Sequence, residues 1–177
     1  MDADRERFEQ LFRSHYAAVV RYAARRVGVD AAQEVVADTF LTAWRRLGSV
    51  PDHALPWLYG TARRLIANEL RRQVRGARLG AKIAGSADAA VPDHADEIAE
   101  RLRVASALQR LSERDREVLR LVEWERLDNA DSARVLGCSV AAFKVRLHRA
   151  RRRLAAALDN SAPALSPVDV STRGDRS

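Results

Sequence analysis

The sequence predicts an all-α protein made of two small helical domains joined by a flexible linker. Three observations carry that expectation. Apolar residues recur at a 3.6-residue period along most of the chain, and no segment sustains the period-two alternation of a strand. Between Gly76 and Pro92 the helical pattern gives way to Gly, Ala and Ser, too poor in large apolar residues to bury itself. With 177 residues and 47% hydrophobic content, the chain can bury a core as one medium domain or two small ones.

The first helix is expected from about Asp4 to Val27, with Phe8, Leu11, Phe12, Tyr16, Val19, Val20 and Ala23 as its inward stripe and Gly28 as its end. Asp30 suits the N-cap of a second helix reaching about Leu47. Its stripe is Val36, Phe40, Ala43, Trp44 and Leu47, and Gly48-Ser49-Val50-Pro51 stops it. Pro56 fits the first turn of a third helix, where a missing N–H leaves no bond unmade. That helix turns Leu58, Ala62, Leu65, Ile66 and Leu70 inward and runs to about Arg75. Its other face and its extension set Arg63, Arg64, Arg71, Arg72, Arg75, Arg78 and Lys82 against the lone acid Glu69.

Helical pattern resumes near Asp93, with Ile98, Leu102, Ala105, Leu108 and Leu111 inward. Ser112 with Asp115 three residues on resembles a capping box opening a helix through Val118, Leu119 and Val122. The expected division is a first domain over residues 1–75, a linker over 76–96, a second domain over 97–158 and a Pro- and Ser-rich disordered tail over 159–177.

Lys and Arg number 31 against 24 Asp and Glu, a net charge of +7 that favours a polyanionic partner. The one cysteine, Cys138, can close no internal disulfide and has no companion at metal-ligand spacing, so it reads as a small buried hydrophobe in a reducing cytoplasm. The first residues lack the apolar core of a signal peptide, and no run nears the roughly 20 apolar residues that cross a bilayer. His15, His53, His94 and His148 are scattered without acid or Cys partners, and no Gly-rich phosphate loop follows a strand, so neither an enzyme nor a cofactor is expected.

Residues 138–154, CSVAAFKVRLHRARRRL, hold six cations and no acid, while Val140, Phe143, Leu147, Ala150 and Leu154 repeat at helical spacing. Alone, such a helix is a solvent face or a nucleic-acid face. What precedes it decides. Ala133 is small where two helices would cross, Gly137 can take the positive φ of a tight turn, Ser139 can cap the next helix, and Phe143 can plug the angle between them. That is helix-turn-helix spacing, in which the second helix enters the major groove.

With LQRLSERDREVLRLVEWERL before it, DNADSARVLGCSVAAFKVRLHRARRRL resembles the fourth region of bacterial sigma factors. DAAQEVVADTFLTAWRRL followed by PWLYGTARRLIANELRRQVR resembles their second. The order, with a short linker and no domain between, is similar to the extracytoplasmic-function (ECF) subfamily. The resemblance implies an alternative sigma factor, monomeric when free, that binds core RNA polymerase and promoter DNA and is held by an anti-sigma factor. It assigns Glu34, Asp38, Thr39, Phe40 and Trp44 to polymerase docking. It assigns Trp57, Tyr59, Arg63, Arg64, Asn68, Arg71 and Arg72 to the minus-ten element, where aromatics for unstacked bases beside cations for phosphates suit a melted strand. On the recognition helix it assigns Lys144, Val145, His148 and Arg149 to bases of the minus-thirty-five element and Arg146 to phosphate, with Arg152 on the same helix.

The residues also allow blander roles: Phe40 and Trp44 could fill the core, and Trp57 and Tyr59 could lid a small one. The sequence departs from the family pattern at Ala37, Arg64 and Asn68, and, near the helix-turn-helix, at Arg126 in place of Gly and Ser132 in place of Ile. The rival to a sigma factor is a stand-alone helix-turn-helix regulator that dimerises through its N-terminal helices. A second rival, a polymerase antagonist that docks without melting, leaves the aromatic and cationic third helix without a use.

Overall fold

The computed structural model describes the backbone of residues 2–77 and 95–160, and the side chains of residues 2–72 and 99–160. Most of the expected linker and tail therefore lies outside the described residues, as do the side chains of Arg75, Arg78 and Lys82. Among the described residues there are six helices and no strand: α1 (Asp2–Arg45), α2 (Leu55–Ala77), α3 (Ala95–Gln109), α4 (Glu113–Glu123), α5 (Asn129–Leu136) and α6 (Val140–Asp159).

The first two expected helices are both present, as the two arms of α1 on either side of a kink at Gly28. Gly28 stands at φ 81° and ψ 167°, outside helical geometry, and the ladder resumes beyond it. Gly is the residue that enters this region without a Cβ penalty, so the kink falls where the sequence placed an end. A single 3-10 turn, Leu47–Ser49, follows α1. Arg7 reaches back from the start of α1 to close it, donating from Nη1 to the Leu47 carbonyl at 3.3 Å and from Nη2 to the Val50 carbonyl at 2.8 Å. These carbonyls face a helix end with no further turn to bond them.

Helices α4, α5 and α6 each start on a side-chain cap. Ser112 accepts from the Asp115 amide and donates its hydroxyl to the Asp115 carboxylate at 2.8 Å, as its spacing predicts. Asp128 caps α5 and Ser139 caps α6. Gly137 holds φ 65°, and its amide bonds back into α5, which turns the chain within three residues.

Two apolar clusters form. One joins α4, α5 and α6 through Leu111, Val118, Leu119, Ala133, Phe143, Leu147 and Ala150. The other packs both arms of α1 on α2 through Val19, Tyr22, Val36, Phe40, Leu58, Ala62 and Ile66. This second cluster also takes in Leu121, Leu127 and Val135 from the C-terminal half. The two domains that the sequence separates thus lie packed on one another. At the crossing of α2 and α5 the backbones are close enough that a Cβ on Gly60 would stand 3.7 Å from the Val135 carbonyl oxygen.

Several stripe residues are not where periodicity puts them. Phe12, Tyr16, Trp44, Leu70 and Leu102 are exposed, as is Ala105, whereas Ala107 is fully buried. On α3 the inward face is rotated from the expected one, because the helix meets α6 rather than a core of its own.

Candidate nucleic-acid interface

Helix α6 divides cleanly. Phe143, Leu147 and Ala150 fill the C-terminal core, while Lys144, Val145, Arg146, His148, Arg149 and Arg152 are all exposed. Two neighbouring cations are committed elsewhere: Arg151 pairs with Glu123 at 3.1 Å, and Arg153 pairs with Asp115 at 2.6 Å. No described acid pairs with Lys144, Arg146, Arg149 or Arg152. The face that remains is cationic, unneutralised and fixed at its N-terminal end by the Ser139 cap, which positions the first turns of a helix for a groove.

The cluster expected on α2 is split. Arg64, Asn68, Arg71 and Arg72 are exposed along its C-terminal half. Asn68 accepts from Arg71 at 2.6 Å, Arg64 donates to Thr61 at 3.3 Å, and Arg72 lies 3.3 Å from Glu69 and 3.7 Å from Glu34. Trp57 and Arg63 are half-buried. Tyr59 is only 3% exposed and stacks on Tyr22 at 4.4 Å with 15° between the rings.

Of the α1 residues, Glu34, Asp38 and Trp44 face outward, while Thr39 and Phe40 are buried. The Thr39 hydroxyl donates to the Val35 carbonyl at 2.7 Å. Phe8 meets Trp44 edge to face at 5.1 Å, Phe12 meets Phe40 at 4.8 Å, and Tyr16 lies 4.8 Å from Phe12. Trp44, Tyr16 and Phe12 leave 46%, 44% and 37% of their surface to solvent, so an apolar, aromatic patch continues from Trp44 across to the first arm of α1. Periodicity alone places Phe12 and Tyr16 on the inward stripe, since a stripe looks the same whether its own domain or a partner covers it.

A charged contact joins the halves. Arg26 donates from Nε to Glu117 Oε2 at 2.9 Å and from Nη1 to Glu125 Oε1 at 3.0 Å, with all three side chains at least nine-tenths buried. Arg25 reaches the other Glu125 oxygen at 2.9 Å, and the Tyr22 hydroxyl donates to Glu117 Oε1 at 2.9 Å. Burial first, and the Glu117 carboxylate second, hold the Tyr22 phenol well above its ordinary range. Burial and Glu125 push the Tyr59 phenol up to about 12. At the rim, His53 Nε2 lies 2.6 Å from Asp131. Nothing in the sequence pattern signals this contact, whose partners stand 78 to 100 residues apart.

Residues 11–76 match the family described as Sigma-70 region 2, and residues 101–154 match Sigma-70, region 4. The chain is 35% identical over 150 residues to the ECF RNA polymerase sigma factor SigL of Mycobacterium tuberculosis, covering 81% of this chain and 84% of that protein. It is likewise 35% identical over 170 residues to the RNA polymerase sigma factor CnrH of Cupriavidus metallidurans, covering 86% of each. The solved structure of CnrH in complex with the cytosolic domain of CnrY is similar at a TM-score of 0.59 and 31% identity, over 86% of this chain and 88% of that one. The sigma factor RpoE of Bartonella quintana, solved with the anti-sigma factor NepR, shares the fold at a TM-score of 0.66 and 24% identity, over 86% of this chain and 96% of that one.

Proposed function

The chain belongs to the ECF sigma factors, alternative sigma factors that direct transcription, and from that premise we propose how its surfaces divide the work. The outer face of α1, with Glu34, Asp38 and Trp44, docks on core RNA polymerase; the carboxylates pair with polymerase cations while Trp44, Tyr16 and Phe12 bury apolar area. Thr39 and Phe40 support that face from beneath. Helix α6 reads the minus-thirty-five element in the major groove, with Lys144, Val145, His148 and Arg149 toward base edges and Arg146 and Arg152 toward phosphates. Helix α2 holds the minus-ten strand after melting, its cations along the phosphates and the half-buried Trp57 against an unstacked base, while Tyr59, buried against Tyr22, backs that face from within.

The observation that carries this reading is the outward face of α6. A helix capped by Ser139, packed on one side by Phe143 and Leu147, presents four exposed cations, Lys144, Arg146, Arg149 and Arg152, that no described acid neutralises. The first domain, residues 1–75, serves polymerase and the minus-ten element, and the second, residues 97–158, serves the minus-thirty-five element. The chain works in the cytoplasm as a binding protein, with bond-making left to the polymerase. Among the described residues no helix is long and apolar enough to cross a membrane. An anti-sigma factor of the kind solved with CnrH is its regulatory partner.

Run-off transcription with core polymerase, with and without this protein, tests the reading. Promoter-specific initiation that depends on the protein is expected. Failure on every genomic promoter tried, together with a homodimer footprint on a palindromic site, would replace it with the stand-alone regulator.

A further inference from the structure

Taking α6 as the minus-thirty-five reader, as proposed above, we infer that Arg151 and Arg153 are positioning residues: two struts to α4 that set the roll of α6 about its own axis, and with it which side chains meet base edges. Their stripes are those of the reading face. Arg151 lies seven residues beyond Lys144 and Arg153 seven beyond Arg146, two helical turns in each case, so no local pattern separates the four cations. What separates them is α4. Arg153 Nη1 stands 2.6 Å from Asp115 Oδ2 in the first turn of α4, and Arg151 Nη2 stands 3.1 Å from Glu123 Oε1 at its last residue. The two acids are about 12 Å apart along α4. Two residues apart at about 3.6 per turn, Arg151 and Arg153 leave α6 on opposite sides of the buried Ala150.

The apolar contact by itself leaves the roll loose. Phe143, Leu147 and Ala150 make a contact without direction, whereas an ion pair has both a length and a direction. A roll of about 10° moves a side-chain tip about 5–6 Å from the helix axis by about 1 Å, enough to take a donor out of range of a base-edge acceptor. Helix α6 is 20 residues long, about 30 Å, so its first turns can lie in a groove while its last turns stay on α4. The acids of α4 are available for this. Arg116 and Arg120 of α4 both pair with Glu113 instead. The Ser112 hydroxyl donates to Asp115 Oδ2 at 2.8 Å, so the group that caps α4 also holds the carboxylate that receives Arg153. Exposed ion pairs of this kind add little to stability, and their effect here is on an angle.

The test uses the full chain with Arg151→Ala and Arg153→Ala together, a duplex selected by the wild type and a scrambled one. Fluorescence anisotropy from about 50 to 200 mM salt reads affinity and its salt dependence. The expected result is a preference for the selected duplex reduced about tenfold, the loss of about one good base contact. Affinity for scrambled duplex and the salt slope stay close to wild type, because α4 already neutralises both charges. Phosphate contacts would behave otherwise: both duplexes would weaken alike and the slope would fall by about two, which overturns the inference. Exchange of the exposed pair supplies a second readout. Glu123→Arg alone lowers the preference, and Glu123→Arg with Arg151→Glu restores it, since a general change in charge cancels from a ratio of affinities. A preference that the exchange does not restore overturns the strut. Every variant is expected to unfold in urea near the wild-type midpoint, and a preference lost only in step with stability overturns the inference as well. Failure of the premise looks different. If selection with the wild type yields no duplex bound better than the scrambled one, α6 is not the reader and its struts fall with it; a double-alanine variant with full preference overturns the positioning alone.

Discussion

Replacing Tyr22 by Phe removes one hydroxyl from the contact between the domains and leaves the ring. The ring is fully buried, stacks on Tyr59 at 4.4 Å, and carries the Arg26 guanidinium 3.5 Å from its centre, all of which Phe retains. What goes is the 2.9 Å bond to Glu117 Oε1. A hydrogen bond to a charged acceptor contributes about 1.5–3 kcal/mol. Glu117 Oε1 keeps a second donor, Arg26 Nη2 at 3.2 Å, so the carboxylate is not orphaned and the loss belongs at the low end, about 1.5 kcal/mol. A double-mutant cycle in urea isolates it: wild type, Tyr22→Phe, Glu117→Ala and the double variant. The expected coupling is about 1.5 kcal/mol, and Tyr22→Phe in the Glu117→Ala background costs little. Additivity to within about 0.5 kcal/mol would refute the claim that this bond helps to join the domains.

Four further outcomes are expected. Arg126 stands at φ 55°, a left-handed conformation that costs an ordinary residue about 1–2 kcal/mol, so Arg126→Gly raises the free energy of unfolding by about 1 kcal/mol in urea. The Ser132 hydroxyl is fully buried without a hydrogen-bond partner, and Ser132→Ala raises stability by a similar amount, about 1 kcal/mol, since no bond is lost with it. The Tyr59 phenol, raised from 10.0 to about 12 in the closed form, favours closure fully below pH 10.0 and loses that contribution as pH climbs through about 12. Tyr22 shifts the same way, so scattering at alkaline pH shows expansion while it remains flat near neutrality. Arg149→Ala weakens binding to the selected minus-thirty-five duplex by about 1–3 kcal/mol and leaves scrambled duplex nearly unchanged, read by anisotropy; equal loss on both would make Arg149 a phosphate contact.

The caps and the turn were legible because each depends on one residue's own chemistry. Ser112, Gly137 and Ser139 act in the structure as their spacing predicts, and the Gly28 break falls at the expected residue. The departures at Arg126 and Ser132 were visible too, and both have a physical counterpart: a strained φ where Gly would be free, and a buried hydroxyl where an aliphatic group would pack. Burial was less legible. Periodicity says which side of a helix is apolar but not what covers it, so Phe12 and Tyr16 read as core although solvent reaches them. Tyr59 runs in the opposite sense: its sequence position allows a surface for bases or the lid of a small core, and it is buried under side chains more than 60 residues away in sequence. Arg26, Glu117 and Glu125 each look like ordinary helix-surface charge, and their meeting depends on a domain arrangement that no local pattern encodes.

The composition of that meeting explains how a buried contact can still be a reversible one. Two domains sealed by leucines alone would expose the same apolar area on parting that they buried on closing. A buried ion pair behaves differently, because the cost of taking its charges out of water roughly cancels their attraction. When the domains part, Glu117, Glu125 and Arg26 regain their hydration together, and the ionic part of the contact changes little in free energy. Removing one sign alone is another matter, since it leaves the other buried and unpaired. The charges thus fix which arrangement closes without making it permanent, and the apolar share from Leu121, Leu127 and Val135 sets how strongly it does so.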